Sequence, residues 1–272
     1  MDVVQLALEE DIGAAGDVTT LATTPATLLG AADVVAREPG VLAGLEVAAS
    51  VFETVGQGRV RVEYGCADGA RVDAGEVLAS ARGPVRDLLT AERTALNLLG
   101  HLSGIATLTR RWVDAVEGTG AQIRDTRKTL PGLRALQKYA VRCGGGVNHR
   151  MSLSDAALVK DNHVAAAGGV VAAFKAVRAR YPELDLEVEV DTVDQAREVL
   201  DAGADLVLLD NMTPADMRAV VEYGRGRARL EASGGLRLEN AREVAETGVD
   251  YLAVGALTHS APVLDIGLDI RV

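Results

Sequence analysis

The chain has 272 residues, of which 48% are hydrophobic and 25% are charged, and its net charge is −11. These values predict a globular protein of one or two domains with a buried core. The acidic balance argues against nucleic acid as a partner.

The chain shows no sign of export or membrane insertion. No apolar run reaches the ~18 residues that a membrane-spanning helix needs. The acidic start MDVVQLALEED lacks the basic n-region of a signal peptide. The two cysteines, Cys66 and Cys143, have no metal-ligand spacing, which favours free thiols in a reducing compartment. We therefore expect a cytoplasmic protein.

Residues 1–104 carry no repeating unit and are predicted to form an N-terminal domain. GVLAGLEVAASVFETVG has helical spacing, whereas RVRVEYGCADGARVDAGEVLASARGP alternates valine with polar residues and predicts strands and turns. The next segment, VRDLLTAERTALNLLGHLSGIATLTRRWVDAVEG, is helical by period. Its Ser103–Gly104 pair predicts a break between two helices.

From residue 119 onward, short apolar segments alternate with helical ones. The predicted strands are AQIRDT, AALVK, LDLEVEV, ADLVLLD, ARLEA and VDYLAVG, and the predicted helices are PGLRALQKYAVRC, VVAAFKAVRARY, VDQAREVLDAG, PADMRAVVEYG and LENAREVAETG. Pro131 and Pro214 are expected in first turns and Thr192 at an N-cap. This alternation predicts βαβ units and a parallel sheet.

Six strands are clear, and we expect a seventh between His149 and Leu153. The pattern predicts an incomplete, six- or seven-stranded TIM-like α/β barrel over residues 105–257. A doubly wound open sheet is the alternative. It gains no support from the first turn after AQIRDT, which lacks G-x-G-x-x-G.

Charged and small residues follow the predicted strands. In chain order they are Arg127 and Lys128, then Lys160, then Glu189, then Asp210, then Ser233-Gly234-Gly235, then Val254-Gly255-Ala256. The carboxyl ends of barrel strands converge on one face, where active sites are built. The joint pattern therefore predicts one site that combines cations, acids and two small-residue turns.

The stretch from 124 to 150, RDTRKTLPGLRALQKYAVRCGGGVNHR, contains seven Lys or Arg and one acid. Such a concentration in an acidic chain predicts an anionic ligand. Within it, Arg134, Lys138 and Arg142 recur at helical spacing and are interpreted as a solvated face. The triple glycine follows a helix and is interpreted as a cap and turn.

The strand LDLEVEVD places Glu187, Glu189 and Asp191 on one face by its period of two. Because the apolar face is expected to meet the helices, the acids should point into the barrel. Buried carboxylates need cations, a metal or a polar ligand. Glu189 and Asp210 are therefore candidates for holding either a metal bridged to phosphate oxygens or the hydroxyls of a sugar, while the two small-residue turns are candidate phosphate sites.

At this point the chain resembles a known family, quinolinate phosphoribosyltransferase, also called nicotinate-nucleotide pyrophosphorylase (carboxylating). The motifs that carry the resemblance run in order along nearly the whole chain: GDVTT, REPGVLAG, AERTALNLLGHLSGIAT, DTRKTLPGLRALQKYAVRCGGGVNHR, ALVKDNH, EVEVD, LLDN, EASGG and VDYLAVGALTHSAPVLDIGLD. One departure is Val147, where members of the family often have His.

The resemblance implies an N-terminal α/β sandwich domain, 1–104, with which the C-terminal tail 258–272 packs, and a barrel, 105–257, that carries the active site. It implies that quinolinate and phosphoribosyl pyrophosphate give nicotinate mononucleotide, pyrophosphate and CO2 with Mg²⁺, as a step of NAD biosynthesis. It also implies a homodimer with shared active sites, or a larger assembly of such dimers.

The resemblance also assigns roles to individual residues. The quinolinate site would comprise Thr126, Arg127, His149, Arg150, Lys160 and, from the neighbouring subunit, Arg93. The phosphoribosyl pyrophosphate site would comprise Lys128, Glu189, Asp210, Ser233, Gly234, Gly235, Val254, Gly255 and Ala256. Lys128, Lys160, Glu189 and Asp210 would be catalytic, and Glu189 and Asp210 would face Mg²⁺, mainly through the donor pyrophosphate.

Three alternatives stay open. One is a relative of the same fold associated with molybdenum transport genes, against which Arg127, His149, Arg150 and Lys160 argue. Another is a phosphoribosyltransferase for nicotinate, which needs fewer cations. The third is a non-catalytic anion-binding barrel, in which the two acids at 189 and 210 would weaken binding unless a metal were present.

Overall fold

The computed structural model describes residues 3–272, which divide into two compact units. Unit 1 contains the described residues up to Arg110, together with Leu130–Gly145 and Thr258–Val272. Unit 2 contains Arg111–Thr129 and Gly146–Leu257. The domain boundary expected between residues 104 and 105 stays a prediction.

The elements are numbered in chain order. The strands are β1 (Leu29–Ala36), β2 (Gly40–Val41), β3 (Arg61–Tyr64), β4 (Arg71–Val72), β5 (Val77–Pro84), β6 (Gln122–Arg124), β7 (Ala157–Val159), β8 (Leu186–Val190), β9 (Leu206–Asp210), β10 (Arg229–Ser233), β11 (Tyr251–Ala253) and β12 (Ile266–Arg271). The helices are α1 (Val3–Ile12), α2 (Val18–Thr23), α3 (Leu45–Gly56), α4 (Val85–Ala115), α5 (Arg134–Cys143), α6 (Asp161–Ala167), α7 (Val170–Arg180), α8 (Val193–Asp201), α9 (Pro214–Gly224), α10 (Leu238–Ala245) and α11 (Ala256–His259). None of these helices is both long and apolar enough to cross a membrane.

Unit 1 is built on an antiparallel sheet with the strand order β12-β1-β5-β3. Its core is apolar: Val34, Leu78 and Phe52 are buried in one cluster, which joins the sheet to α3. The last strand, β12, pairs with β1 in the register Ala31↔Arg271 to Ala36↔Ile266. The C-terminal segment is therefore an integral strand of this unit.

The predicted break at Ser103–Gly104 is wrong, because α4 runs without interruption from Val85 to Ala115. The small residues serve close packing instead. A Cβ atom at residue 104 would lie 2.0 Å from the carbonyl oxygen of Pro262. The Ser103 hydroxyl accepts a hydrogen bond from the amide of Ala43 at 3.1 Å. The C-terminal segment that requires the glycine is far away in sequence, so local pattern could not reveal it.

Two expectations about α5 are also wrong. The helix begins at Arg134, so Pro131 lies in the turn before it and not in its first turn. Lys138 is fully buried and does not belong to a solvated face. The reason is that α5 is held by its polar side: the buried Gln137 side chain donates to the carbonyl oxygen of Thr258 at 3.0 Å. The turn and cap expected at the triple glycine are confirmed, with Gly144 as the C-cap.

Unit 2 contains a six-stranded parallel sheet with the order β6-β11-β10-β9-β8-β7. From β7 to β11 neighbours in sequence are neighbours in the sheet, and the first strand of the set, β6, pairs with the last, β11. This is the order of a barrel that is open between β6 and β7, not that of a doubly wound sheet. The incomplete barrel predicted from the sequence is confirmed.

The seventh strand expected between His149 and Leu153 does not form. Instead, Val147 alone makes a parallel bridge to Arg124 at the edge of β6. Its amide donates to the carbonyl oxygen of Ile123 at 2.8 Å, and its carbonyl oxygen accepts from the amide of Asp125 at 3.2 Å. The pairing stops there because the next donors, the Asn148 side chain and the His149 backbone amide, bind the carboxylate of Asp125 instead of a strand.

Helix starts in unit 2 follow the sequence signals. The Thr192 hydroxyl accepts from the amide of Gln195 at 3.2 Å and caps α8. Pro214 is the first residue of α9 after the Thr213 cap. Both caps follow the carboxyl ends of strands, so the chain turns sharply there and leaves the strand-end residues at the mouth of the barrel.

Candidate active site

One cavity of about 610 Å³ lies at the carboxyl ends of the barrel strands. Ten residues singled out from the sequence line it: Thr126, Arg127, Lys128, His149, Arg150, Lys160, Glu189, Asp210, Ser233 and Gly234. The other lining residues are Leu158, Leu208, Asn211, Glu231 and Ala253. The strand-end pattern therefore converges on a single site, as barrel geometry requires.

The remaining predicted site residues lie elsewhere. Gly235, Val254, Gly255 and Ala256 follow β10 and β11 but are not among the residues that line the cavity. Arg93 belongs to α4 in unit 1, where it is exposed. The functional roles assigned to these residues, and to those in the cavity, stay predictions.

Asp125 fixes the chain on the basic side of the site. This residue is fully buried directly after β6. One carboxylate oxygen accepts from the side-chain amide of Asn148, and the other accepts from the backbone amide of His149 at 2.8 Å. The carboxylate thus ties the segment that carries His149 and Arg150 to the end of β6, next to Arg127 and Lys128.

Both ring nitrogens of His149 face protein groups. Nδ1 accepts a hydrogen bond from the backbone amide of Arg150 at 2.7 Å. A neutral ring therefore carries its proton on Nε2, which lies 2.7 Å from a carboxylate oxygen of Glu187 and 3.7 Å from one of Glu231. In this arrangement, a hydrogen bond from His149 to a substrate carboxylate would require the ring to turn.

The cations at the site differ in their surroundings. Burial, together with the nearby Arg127 guanidinium, lowers the pKa of Arg150 from its ordinary value. The Arg150 side chain is held by donation from Nη1 to the carbonyl oxygen of Ala156 at 3.0 Å. Lys160 is exposed and pairs with Glu189 at 2.6 Å. An anion that binds between Arg127 and Arg150 would relieve the mutual repulsion of their guanidinium groups.

The turn after β10 is shaped for close approach of a ligand. Gly234 and Gly235 both have positive φ, 82° and 60°. A Cβ atom at 234 would lie 2.3 Å from the side-chain oxygen of Asn211, so only glycine fits there. Within residues 3–272, neither glycine amide donates a hydrogen bond. Free amides in a tight turn are the usual partners of phosphate oxygens.

Asp210, the last residue of β9, lies beside this turn. Its carboxylate accepts from the side-chain amide of Asn211 at 2.8 Å. Asp210 pairs with Ser233 in the sheet register, which places the acid next to the Ser233-Gly234 turn. The site therefore has a cationic side formed by β6 and β7 and an acidic side formed by β8 and β9.

The structure adds three charged residues that the candidate set lacks, and we call them the interior layer: Arg124, Glu187 and Glu231. The two glutamates are 2% and 0% exposed. Burial raises the pKa of each to about 7. Arg124 donates to Glu231 at 2.6 Å and lies over the ring of Tyr251. The alternation in LEVEV does place Glu187 inward, whereas a single charge in ARLEA or AQIRDT gives no comparable signal.

Among the described residues, His149, Glu187 and Glu231 also form a group whose ligand atoms lie within 4.8 Å of one another. Two contacts speak against a metal there. The Arg124 guanidinium already pairs with Glu231. In addition, a metal on Nε2 of a neutral imidazole leaves the proton on Nδ1, which here accepts from an N–H group. The group is better suited to sharing protons than to binding a cation.

Comparison with known proteins gives a consistent result over the whole chain. Residues 17–103 match the model of the quinolinate phosphoribosyl transferase N-terminal domain, and residues 105–269 match that of the C-terminal domain. The chain is 57% identical to the nicotinate-nucleotide pyrophosphorylase [carboxylating] of Mycobacterium leprae, over 99% of this chain and 96% of that protein. It is 42% identical to a probable enzyme of the same name from Bacillus subtilis, over 88% and 83%.

Solved structures agree. The crystal structure of nicotinate-nucleotide pyrophosphorylase from Ehrlichia chaffeensis superposes with a TM-score of 0.94 at 38% identity, covering 99% of this chain and 97% of that one. The crystal structure of NadC from Streptococcus pyogenes gives a TM-score of 0.94 at 40% identity, covering 100% and 96%.

Proposed function

Because this chain belongs to the quinolinate phosphoribosyltransferase family, we propose that it transfers the phosphoribosyl group of phosphoribosyl pyrophosphate to quinolinate, with loss of CO2, to give nicotinate mononucleotide for NAD synthesis. The observation that carries the proposal is the strand-end cavity, which joins four cations to three acids and a glycine turn. Quinolinate is a dicarboxylate and the donor carries several phosphate charges, so a cationic site is required.

The cavity divides naturally between the two substrates. Arg127, Arg150 and Lys160 are suited to the carboxylates of quinolinate, since guanidinium groups bind carboxylates through paired hydrogen bonds. The Ser233-Gly234-Gly235 turn is suited to the 5′-phosphate through the free amides of its two glycines. Lys128, at the exposed edge of the same cavity, is suited to the pyrophosphate of the donor.

The chemistry needs little beyond positioning and charge. The pyridine nitrogen attacks carbon 1 of the ribose with its own lone pair, so no general base is involved. Positive charge develops on that carbon as pyrophosphate leaves, and Glu189 and Asp210, which line the cavity, are suited to stabilise it. After the bond forms, the positively charged ring nitrogen stabilises the electron pair that stays on the adjacent ring carbon when its carboxylate leaves as CO2. That carbon then takes up a proton from water.

Mg²⁺ is part of the proposal, and the residues at the site fit it. Mg²⁺ is commonly held by one or two carboxylates together with substrate phosphates. Asp210 and Glu189 line the same cavity as the proposed phosphate turn and offer carboxylate oxygens there. When bound, the ion would neutralise the leaving pyrophosphate.

We further propose a homodimer in which Arg93 of one subunit completes the quinolinate site of its partner. What supports this role is the match of AERTALNLLG to the family motif and the exposure of Arg93. Arg93 has no ion pair with any of residues 3–272, so its guanidinium is available to an external anion. The cytoplasm is the proposed location, and the two free cysteines suit its reducing conditions.

The decisive experiment supplies purified protein with Mg²⁺, the donor and either quinolinate or nicotinate. We expect nicotinate mononucleotide and CO2 from quinolinate alone. Equal use of nicotinate would assign the chain to the nicotinate enzymes instead. Binding of donor or quinolinate without turnover would indicate an anion-binding barrel. Inactivity with both quinolinate and nicotinate would favour the relative of the same fold that acts on a different substrate.

A further inference from the structure

The interior layer, Arg124, Glu187 and Glu231, is not needed as a ligand in the proposed reaction. Its members come from β6, β8 and β10, which are alternate strands of the sheet. Side chains from alternate strands form the layers that fill a barrel, and these layers are normally apolar. Here one layer is made of charged residues, at a cost of several kcal/mol for each ion that loses its water.

The layer ends on His149. Nε2 of the ring lies 2.7 Å from Glu187, and Glu231 holds a second carboxylate oxygen 3.7 Å away. Arg124 in turn fixes Glu231 through a contact of 2.6 Å. Apart from this approach of Nε2, neither carboxylate oxygen of Glu187 has a hydrogen-bond partner within residues 3–272, so the contact with His149 is the polar contact that can fix the position of the Glu187 side chain. Arg124, Arg150 and Lys160 interact with Glu187 through their charge.

His149 passes this restraint on to Arg150. The ring atom Nδ1 accepts a hydrogen bond from the backbone N–H of Arg150 at 2.7 Å. The backbone N–H of His149 donates to the carboxylate of Asp125 at 2.8 Å. The ring and the backbone around it are thereby held from three directions. Arg150 follows directly, and its side chain reaches the substrate cavity.

We propose that Glu187 and Glu231 are positioning residues that hold His149 as a neutral anchor, so that the adjacent Arg150 presents its guanidinium to a carboxylate of quinolinate. This inference rests on the proposed function. It gives His149 a different role from that of a charged ligand, since both of its ring nitrogens are used inside the protein.

The first test separates contact from charge at residue 187. Glu187→Met removes the contact and fills the space with an apolar chain of similar volume, a replacement that buried ionic groups often tolerate. Glu187→Gln keeps an oxygen that can accept from Nε2 and removes only the charge. We expect Glu187→Met to raise KM for quinolinate roughly tenfold or more through misplacement of Arg150. For Glu187→Gln, KM for quinolinate should stay within about threefold of wild type, and KM for the donor should be unchanged in both variants.

An electrostatic role predicts the opposite sign. If the layer acted by its negative charge near a dianionic substrate, both variants would lower KM for quinolinate. That result, or an unchanged KM in a folded Glu187→Met protein, would overturn the proposal. Asp205→Asn is the matched control. It removes the charge of an acid directly before β9 whose side chain is 72% exposed, and it should leave KM for quinolinate unchanged.

The second test asks whether the effect passes through Arg150. In a double-mutant cycle, Glu187→Met should add little to the KM already raised by Arg150→Met, because the residue being positioned is gone. Additive effects would contradict the proposal. Wild-type turnover of quinolinate is measured first. Without it the proposed function fails, whereas normal wild-type turnover with an additive cycle would reject only the positioning role.

A third measurement is made on the wild-type protein and needs a variant only to assign the signal. Nitrogen NMR of the ring of His149 in the wild-type protein should show a neutral ring with its proton on Nε2, both before and after quinolinate is added. The chain has four histidines, and His149→Gln identifies the signal. Conversion to a doubly protonated ring on quinolinate binding would show a charged ligand and overturn the anchor role.

Discussion

The two units differ in the side chains at their centres: the core cluster of unit 1 is apolar, whereas the barrel of unit 2 also buries two carboxylates beside its apolar side chains. The sheet of unit 1 covers an apolar cluster that includes Val34, Phe52 and Leu78. The barrel of unit 2 buries Glu187 and Glu231 in its interior. An apolar interior stabilises a fold at little cost, whereas buried carboxylates do so poorly. The comparison indicates that the interior of unit 1 was shaped by stability and that of unit 2 by its site. Substitutions in the two units should therefore fail in different ways.

The largest effect is expected at the acids of the site. Asp210→Ala should lower kcat by roughly 10²–10³, the size typical of losing a group that stabilises developing charge. Its thermal midpoint should be close to wild type, because Asp210 is only half-buried. Steady-state kinetics and calorimetry measure the two. Asp194→Ala, at an acid with 87% exposure, is the control, and equal loss in both variants would make Asp210 structural.

In unit 1 we expect the reverse: a substitution in the core lowers the stability of the protein. Phe52 is 1% exposed, and Phe52→Ala should lower the free energy of unfolding by about 3–5 kcal/mol. Leu29→Ala, at a residue that is 69% exposed, should change it by less than about 0.5 kcal/mol. Denaturant unfolding gives both values. A Phe52→Ala protein as stable as wild type would remove the apolar core from the comparison.

A smaller effect is expected at Arg150, on the cationic side of the site. Arg150→Met should raise KM for quinolinate by roughly 10- to 100-fold, which corresponds to the ~1.5–3 kcal/mol of a hydrogen bond to a charged group. KM for the donor should stay near its wild-type value. Initial rates at varied concentrations of each substrate separate the two constants, and an increase confined to the donor would reverse the assignment of the two halves of the cavity.

Most of this layout could be predicted from the sequence because it depends on local periodicity. The alternation in LDLEVEVD and the spacing of the helices predict a barrel, and the rule that strand ends meet then brings Arg127, Lys160, Glu189 and Asp210 together. What could not be predicted depends on distant partners. Gly104 is required by Pro262. A single charge in a short strand, such as Glu231, cannot be distinguished from a surface residue until its neighbours are known.

Complementation tests whether unit 1 contributes to activity at all. Arg93→Ala and Lys160→Ala should each be nearly inactive as homodimers. After subunit exchange, a mixed dimer has one site with both residues intact and one with neither. Random pairing makes about half the dimers mixed, so about a quarter of the wild-type activity should return. No recovery despite demonstrated exchange would mean that Arg93 acts within its own subunit or only in the fold.

The smallest effect concerns how the charged interior of unit 2 responds to pH. Burial raises the pKa of Glu231 from 4.5 to about 7; the facing Glu187 adds to this rise, whereas Arg124 and His149 oppose it. Between these two pH values the native state binds more protons than the unfolded state, so the free energy of unfolding falls as pH rises. The stability that protonated Glu231 provides is complete below pH 4.5 and is lost as pH passes 7.

Glu231→Gln removes this titration. Its stability relative to that of the wild type should therefore increase as pH rises. The thermal midpoint of the variant minus that of the wild type should increase by a few degrees between pH 5 and pH 8, whatever its sign at pH 5, where loss of the Arg124 pair also contributes. Glu243→Gln, at an exposed acid on α10, should show a constant difference across the same range. If Glu231→Gln also gave a constant difference, the carboxylate would be ionised throughout. The interior of unit 2 would then be a stable ion pair of Arg124 and Glu231, and proton binding would not distinguish it from the apolar interior of unit 1.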